Sequence, residues 1–218
     1  MTGQNEYNSS RLVIFSLAMV FFCELVAAQP FSGLSPLEKT LFLRVVQAGL
    51  LVLLIRRHSQ GLALAGMTRE HLGRGIRVGL VWSGVFGLTV GICGGGLFLT
   101  GINPLEMVSA PIPFKGRELI FFFITGGLVA PVAEEIFFRG IIYGYLRCVS
   151  VPMALALTTL IFALCHARSG GLPLFQMVGG LVFALAFERS KSIAAPIIIH
   201  VLGNLALFSI SVYTLSWR

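Results

Sequence analysis

The chain of 218 residues is 56% apolar or aromatic and only 11% charged, with a formal net charge of +7. Soluble domains carry about 25% charged residues, and a soluble domain of this size has too little interior to hide so much apolar surface. The composition therefore excludes a nucleic-acid-binding protein, a secreted disulfide scaffold and a disordered linker, and it predicts an integral membrane protein.

Apolar runs that approach or reach the length needed to cross a bilayer, about 20 residues, recur along the whole chain. They predict an all-α, polytopic transmembrane bundle of about seven spans that forms one integral membrane domain over residues 1–218. We divide this domain into helices one to three, within 1–117, and a core of helices four to seven, within 118–212. The predicted spans are 12–28, 37–55, 78–100, 118–146, 151–166, 172–187 and 193–215.

The first three spans carry no recognisable signature of a functional site. The run 12–28 could pass for a secretory signal peptide ending at Val26-Ala27-Ala28, but Glu24 interrupts it and further spans follow, so we predict a retained helix. Glu24 and Arg44 are expected to form a structural ion pair between the first two helices. The third span is rich in glycine, which lets neighbouring helix backbones approach closely. These glycines are Gly79, Gly84, Gly87, Gly91, Gly94, Gly95 and Gly96.

The basic residues favour an orientation with the N-terminus in the cytoplasm. The connection between the second and third spans is rich in arginine, and the positive-inside rule places such a connection in the cytoplasm. The basic residues on that side are Arg11, Arg56, Arg57, Arg69, Arg74, Arg77, Arg147, Arg189 and Lys191. Those on the opposite side are Lys39, Lys115, Arg117, Arg168 and Arg218. The short chain and the lack of a eukaryotic targeting signal favour a bacterial inner membrane.

Ionisable side chains inside the fourth span need a physical reason, because each costs about 2.5 to 3.5 kcal/mol at membrane depth. Glu135 and Arg139 lie four residues apart with the acid on the N-terminal side, which favours an ion pair on one helix face. Glu134 lies about 100° round the helix from Glu135 and has no local partner. Polar packing between helices is the structural alternative, but a second carboxylate without its own cation favours chemistry.

Two later spans add polar pairs at helical spacing. Phe162 and His166 share a face at the end of the fifth span, and His200 and Asn204 share a face in the seventh. Interhelical hydrogen bonding, at about 1 kcal/mol per contact, is the structural alternative. Polar groups on three helices are best accommodated around one polar cavity, so we predict a shared active site within the membrane.

The predicted cluster has the side chains needed to hydrolyse an amide bond. A carboxylate and a histidine that share a water can remove its proton, while His200 and Asn204 offer adjacent donors to an oxyanion. Zinc hydrolysis, with Glu134, His166 and His200 as ligands, is one alternative, although the His-Glu-x-x-His spacing is absent. A proton-coupled transporter, which would also use buried glutamate and histidine, is another.

Three motifs in this order resemble those of the CPBP (or ABI) family of intramembrane proteases, relatives of the type II CAAX prenyl endopeptidase. The motifs are Glu134-Glu135-x-x-x-Arg139, Phe162-x-x-x-His166 and His200-x-x-x-Asn204. The resemblance covers about 118–208, under half of the chain. It implies a glutamic endopeptidase without metal or other cofactor, in which Glu134 activates water with help from His166, and His200 and Asn204 hold the oxyanion. Glu135, Arg139 and Phe162 would support the site.

The resemblance also implies a class of substrate. Family members trim prenylated C-termini, and bacterial homologues are tied to peptide maturation, self-immunity or the processing of C-terminal sorting tails. Because little of the chain lies outside the spans, we expect a membrane-embedded or lipid-anchored protein or peptide that enters from the bilayer between helices, and no nucleic acid. A membrane protein for binding or immunity that keeps the motifs without turnover is the alternative.

Overall fold

The computed structural model describes residues 3–30, 33–105, 112, 115–167 and 173–216. Within these ranges the chain is all-helical, as predicted, and contains no strand. Its long helices are α1 Gly3–Ala28, α2 Pro36–Arg57, α3 Leu72–Leu99, α4 Arg117–Leu146, α5 Val151–Cys165, α6 Leu174–Ser190 and α7 Ala194–Ser216. A short helix, Gly61–Leu64, and a 3₁₀ turn, Arg69–His71, connect α2 to α3. Arg168 and Arg218, which the sequence assigns to one side of the membrane, lie outside the described residues.

Capping chemistry fixes where α2 begins. The Ser35 hydroxyl accepts a hydrogen bond from the Glu38 backbone N–H at 3.2 Å, and the Glu38 carboxylate accepts one from the Ser35 N–H at 3.0 Å. This reciprocal capping box, with Pro36 in the first turn, starts the helix one residue before the predicted span. By contrast, α1 and α3 begin at Gly3 and Leu72, well before the predicted 12 and 78, because polar residues extend a helix beyond its apolar stretch.

Several helices have the length and composition of membrane spans. Among the described residues, four helical stretches are long and apolar enough to cross a membrane: 10–28, 61–99, 117–146 and 194–214. The apolar α5 is shorter, at 15 residues, and α6 has 17. Large apolar side chains on the outside, such as Phe21, Ile92 and Phe175, are 65%, 67% and 65% exposed, which suits contact with lipid rather than water. The chain is therefore a multi-pass integral membrane protein.

The fourth helix occupies the centre of the bundle. It contacts α1, α2, α5, α6 and α7, while α3 packs along α7 and α6. All residues of the segment Ile136–Tyr143 in α4 are buried. Side chains that α4 directs inward therefore meet groups from several helices.

The ion pair predicted between the first two helices is confirmed. Arg44 Nη1 in α2 lies 2.6 Å from Glu24 Oε1 in α1, and the same nitrogen donates to Gln47 Oε1 at 2.7 Å. The pair joins α1 to the rest of the bundle, together with the buried Leu12 and Cys23 on the same helix.

The prediction for the glycine-rich third span holds at Gly79. A Cβ there would lie 2.9 Å from the Cβ of Ile198, so the missing side chain lets α3 and α7 approach closely. Gly75, which the sequence analysis did not single out, does the same against Ser192, at 2.6 Å from its Cβ. For most of the other glycines the prediction is wrong, since no described atom of a neighbouring element lies within 4 Å of the Cβ position. These are Gly84, Gly87, Gly91, Gly95 and Gly96.

Two stretches of α4, Phe123–Val129 and Ile136–Tyr143, have wider turns than an α-helix, with hydrogen bonds between residues five apart. The first precedes Pro131, which has no backbone N–H. The Ala130 N–H bonds to the carbonyl of Thr125, five residues back, rather than to that of Gly126. Because Pro131 has no N–H to offer it either, the Gly126 carbonyl is left without a donor from its own helix. Such wide turns are frequent at functional sites.

Candidate active site

The structure brings the predicted carboxylate and both predicted histidines together from three helices. Glu134 Oε2 in α4 lies 3.4 Å from His166 Nε2 at the end of α5 and 3.9 Å from His200 Nε2 in α7. The Glu134 side chain is 17% exposed and that of His200 is 7% exposed. Glu134, which has no partner on its own helix in the sequence, thus has two partners supplied by the fold.

The backbone of α5 orients the His166 ring. Its Nδ1 lies 2.8 Å from the carbonyl oxygen of Phe162 one turn earlier. A carbonyl can only accept a hydrogen bond, so Nδ1 carries the proton, and in the neutral ring Nε2 is an acceptor. The acceptor nitrogen therefore faces the carboxylate of Glu134, and the two atoms form a site with affinity for a proton or for the hydrogens of a water.

The ion pair predicted within α4 is confirmed, and it holds the second histidine. Arg139 Nη1 lies 2.8 Å from Glu135 Oε1, with both side chains fully buried. The same Oε1 lies 2.8 Å from His200 Nδ1. A carboxylate paired with a guanidinium is ionised, so His200 Nδ1 donates to it and Nε2 is turned toward Glu134. The Arg139 Nη2 donates to the carbonyl of Gly180 in α6 at 3.0 Å, which ties a fourth helix to the cluster.

Aromatic rings surround the buried arginine and the histidines. The Arg139 guanidinium carbon lies 4.6 Å from the ring centroid of Phe162 and 5.2 Å from that of Phe183, at distances where a cation is attracted to the ring face. Phe162, predicted as a supporting residue, also contacts His166, with ring centroids 4.4 Å apart. The Phe183 ring stacks on that of His200, at 4.6 Å and 20°.

Sequence analysis missed Phe183 and Gly180. Phe183 is one of 18 phenylalanines in the chain and belongs to no motif. Gly180 contributes its carbonyl, and a Cβ at this position would lie 3.3 Å from Phe162 Cδ1, closer than ordinary contact. Only the adjacent pair Gly179-Gly180 gave a signal in the sequence, since paired glycines favour close helix packing.

The predicted asparagine is positioned by the wide turn of α4. Asn204 Nδ2 donates a hydrogen bond to the Gly126 carbonyl at 2.9 Å, which is the carbonyl that has no donor within its own helix. The amide has a second N–H, and this one makes no hydrogen bond to a described residue. Asn204 lies one turn after His200 on the same helix, so both side chains project from one face of α7.

The zinc alternative names Glu134, His166 and His200 as ligands. In both histidines Nδ1 is taken by a hydrogen bond, which leaves the two Nε2 atoms directed at Glu134. Within the part of the chain that the structure describes, no group of three or more His, Cys, Asp or Glu side chains has the arrangement of a metal site. A chelation experiment therefore tests whether activity requires a metal.

Known proteins match the part of the chain that carries this cluster. Residues 116–206 match the family model of Type II CAAX prenyl endopeptidase Rce1-like. The membrane-embedded CAAX protease MroQ of Staphylococcus aureus (strain USA300) is 35% identical over 95 residues, which are 40% of this chain and 38% of that protein. YdiL of Bacillus subtilis (strain 168), a membrane peptidase by name, is 35% identical over 82 residues, 37% of this chain and 33% of that protein. No solved structure matches the chain.

The matched stretch runs from the start of α4 into α7 and contains every predicted site residue, from Glu134 to Asn204. The chain aligns with only 38% and 33% of the lengths of the two curated relatives. Both relatives are named as membrane enzymes that act on peptide bonds. The resemblance that the three motifs predict is therefore confirmed over residues 116–206, where this chain is similar to Type II CAAX prenyl endopeptidase Rce1-like proteins and to two membrane peptidases.

Proposed function

We propose that this chain is an intramembrane endopeptidase that hydrolyses a peptide bond with a water activated by Glu134 and His166. The observation that carries the proposal is the 3.4 Å separation between Glu134 Oε2 and the acceptor nitrogen of His166. A water that donates to both groups can lose a proton to them as its oxygen attacks the peptide carbonyl. A positioned general base of this kind contributes about 10²–10⁴-fold to the rate.

His200 and Asn204 complete the proposed site as donors to the oxyanion. The second N–H of the Asn204 amide points away from the Gly126 carbonyl, and His200 presents Nε2 one helical turn away. For His200 to donate through Nε2 it must be an imidazolium, because its Nδ1–H is committed to Glu135. The Glu135 carboxylate offsets the positive charge of that imidazolium, which supports this role.

The proposed reaction needs no nucleophile from the protein. Water adds to the carbonyl carbon, its proton passes to the Glu134 and His166 pair, and the carbonyl oxygen becomes an oxyanion held by His200 and Asn204. The same pair then delivers a proton to the amide nitrogen, the C–N bond breaks, and the products are a carboxylate and an amine. Neither a metal nor another cofactor has a role in these steps.

Glu135, Arg139 and Phe162 act as positioning residues in this proposal. Glu135 fixes the ring of His200, Arg139 fixes Glu135, and the Phe162 carbonyl and ring fix His166. Each works through another side chain rather than on the substrate. Such support is what keeps a site within catalytic geometry.

We further propose that the substrate is a membrane-embedded or lipid-anchored protein or peptide. Two observations support this: Glu134 lies within α4, which is long and apolar enough to cross a membrane, and the outer faces of the helices expose large apolar side chains. The N-terminus is proposed to lie in the cytoplasm, on the inner side of a bacterial inner membrane. The exposed arginines at the end of α2, in the connection that follows it and at the start of α3 support this orientation. They are Arg56, Arg57, Arg69, Arg74 and Arg77.

The proposal is tested by comparing the termini of membrane proteins in native cells by mass spectrometry. The cells carry wild-type protein, Glu134→Gln or the matched control Glu118→Gln at equal abundance. Glu118 is an exposed carboxylate on the same helix. We expect a new N- or C-terminus on at least one membrane protein with wild type and with Glu118→Gln, and its loss with Glu134→Gln. Identical termini in all three strains would instead favour binding, immunity or transport.

A further inference from the structure

A second polar feature lies beside the proposed active site. A cavity of about 260 Å³ separates α1 from α2 and is lined by Glu24 of α1 and by Thr40, Arg44 and Gln47 of α2, with Cys23 in its wall. The proposed reaction uses none of these residues. A charged pair at an open cavity is unusual in a membrane-embedded bundle, where ionisable groups mark functional sites by default.

The cavity adjoins the proposed site. The helix that carries Arg44 packs against the α4 segment Ala130–Glu135, which contains Glu134. The helix that carries Arg44 therefore borders the segment at which a bound peptide would be cleaved.

The members of the charged pair differ in how firmly they are held. Gln47 is 3% exposed and accepts a hydrogen bond from Arg44 Nη1 at 2.7 Å, so a buried side chain holds the guanidinium in place. The side chain of Arg44 is 23% exposed, whereas that of Glu24 is 48% exposed. Glu24 is thus the member that can turn away without leaving a buried charge behind.

We propose that this cavity is a subsite for a carboxylate of the substrate, anchored by Arg44 and occupied in the free protein by the carboxylate of Glu24. A carboxylate from the substrate replaces Glu24 like for like, because a guanidinium binds either one through the same planar donors. The group can be the C-terminal carboxylate of a peptide or an Asp or Glu side chain within it. The inference rests on the proposed function, since it names a chemical feature of that enzyme's substrate.

The test measures binding of synthetic peptides to the full chain in nanodiscs. The background is Glu134→Gln, so that no probe is consumed. One pair of probes is an N-acetylated apolar pentapeptide with a free C-terminal carboxylate and the same peptide amidated. The second pair is an amidated pentapeptide with one internal Asp and its Asn counterpart. The two pairs distinguish a terminal carboxylate from a side-chain carboxylate.

Three further variants are compared in this background. We expect at least one acidic probe to bind about tenfold or more tightly than its neutral counterpart, as a hydrogen-bonded ion pair requires. Arg44→Gln abolishes the preference and leaves binding of the neutral probe unchanged. Glu24→Gln strengthens binding of the acidic probe, because the internal competitor has lost its charge. Arg56→Gln, an exposed arginine on the same helix, is the control and keeps the preference.

The opposite effects of Arg44→Gln and Glu24→Gln separate a subsite from a purely structural ion pair, which would weaken binding of acidic and neutral probes alike in both variants. The inference is overturned if neither acidic probe is preferred, or if the preference survives Arg44→Gln. Where Arg44→Gln does not fold, Arg44→Lys keeps the charge but not the planar fork, and it must still reduce the preference. Since binding is measured without cleavage, a wild-type protein that cleaves nothing refutes the proposed function separately.

Discussion

Replacement of Arg139 by methionine tests how the buried cluster is held together. Arg139 and Glu135 are both fully buried and 2.8 Å apart, so the variant leaves the Glu135 carboxylate buried without its cation. Removing one partner of a buried pair costs about 3–5 kcal/mol. The Gly180 carbonyl, which accepts from Arg139 Nη2, also loses its donor, at a further cost of about 1 kcal/mol. We therefore expect a loss of about 4–6 kcal/mol in the free energy of unfolding.

The double variant Glu135→Gln with Arg139→Met removes both charges together. Methionine can pack against the rings of Phe162 and Phe183, which now contact the guanidinium. Replacing a buried ion pair by uncharged side chains often leaves stability unchanged. We therefore expect the free energy of unfolding of the double variant to lie within about 1 kcal/mol of that of the wild type, apart from the cost of the unpaired Gly180 carbonyl. Unfolding of the purified protein in bicelles, monitored by SDS titration or by steric trapping, measures Arg139→Met, Glu135→Gln alone and the double variant. A loss under 1 kcal/mol for Arg139→Met, or a double variant as unstable as the sum of the singles, would refute the reasoning.

Three further predictions have defined outcomes. His166→Gln should lower kcat about 10²–10³-fold with little change in stability, because the water loses one of its two acceptors; a kcat near that of wild type would remove His166 from the base. Asn204→Ala should lower kcat about 10²-fold in a cleavage assay, and an effect confined to KM would contradict its role at the oxyanion. Glu24→Arg and Arg44→Glu should each lower stability by up to about 1 kcal/mol, since the pair is partly exposed, and the double reversal should recover it in thermal unfolding. If the double variant is no more stable than the less stable of the two single variants, the two residues do not pair.

The meeting of Glu134, His166 and His200 could be predicted from the sequence for a simple reason. Polar side chains at membrane depth are too costly to face lipid, so those on separate helices must share one interior. Helical spacing then predicted the ion pair between Glu135 and Arg139. The cost of an unpaired charge in an apolar helix predicted the ion pair between Glu24 and Arg44. In each case a rare residue in an apolar run carried the information.

Other parts of the cluster left no such mark in the sequence. Phe183 stacks on His200, but phenylalanine is common in every span and its partners depend on how α6 is rotated. The Gly126 carbonyl holds Asn204 only because the hydrogen bonds of α4 shift by one residue before Pro131. A proline in a helix predicts a disturbed turn, but not which carbonyl becomes available or which side chain reaches it.

Glycine gave a misleading signal for the packing of α3. Small residues allow helices to approach, but they do not say which face of a helix meets a neighbour. Gly75 and Gly79 lie against the start of α7, whereas Gly84 and Gly91 face no described neighbour. The composition of the span predicted close packing along its length, whereas among the described residues close packing is found only near the N-terminal end of α3.

The claim that Glu134 activates water without a metal is tested most directly with reconstituted protein. Wild type, Glu134→Gln and Glu118→Gln are placed in proteoliposomes with a peptide that spans the bond mapped in cells, with and without a chelator. The account predicts cleavage by wild type and by Glu118→Gln at rates that the chelator does not change, and no cleavage by Glu134→Gln. Cleavage by Glu134→Gln, or loss of wild-type activity to the chelator with recovery on adding zinc, would contradict it.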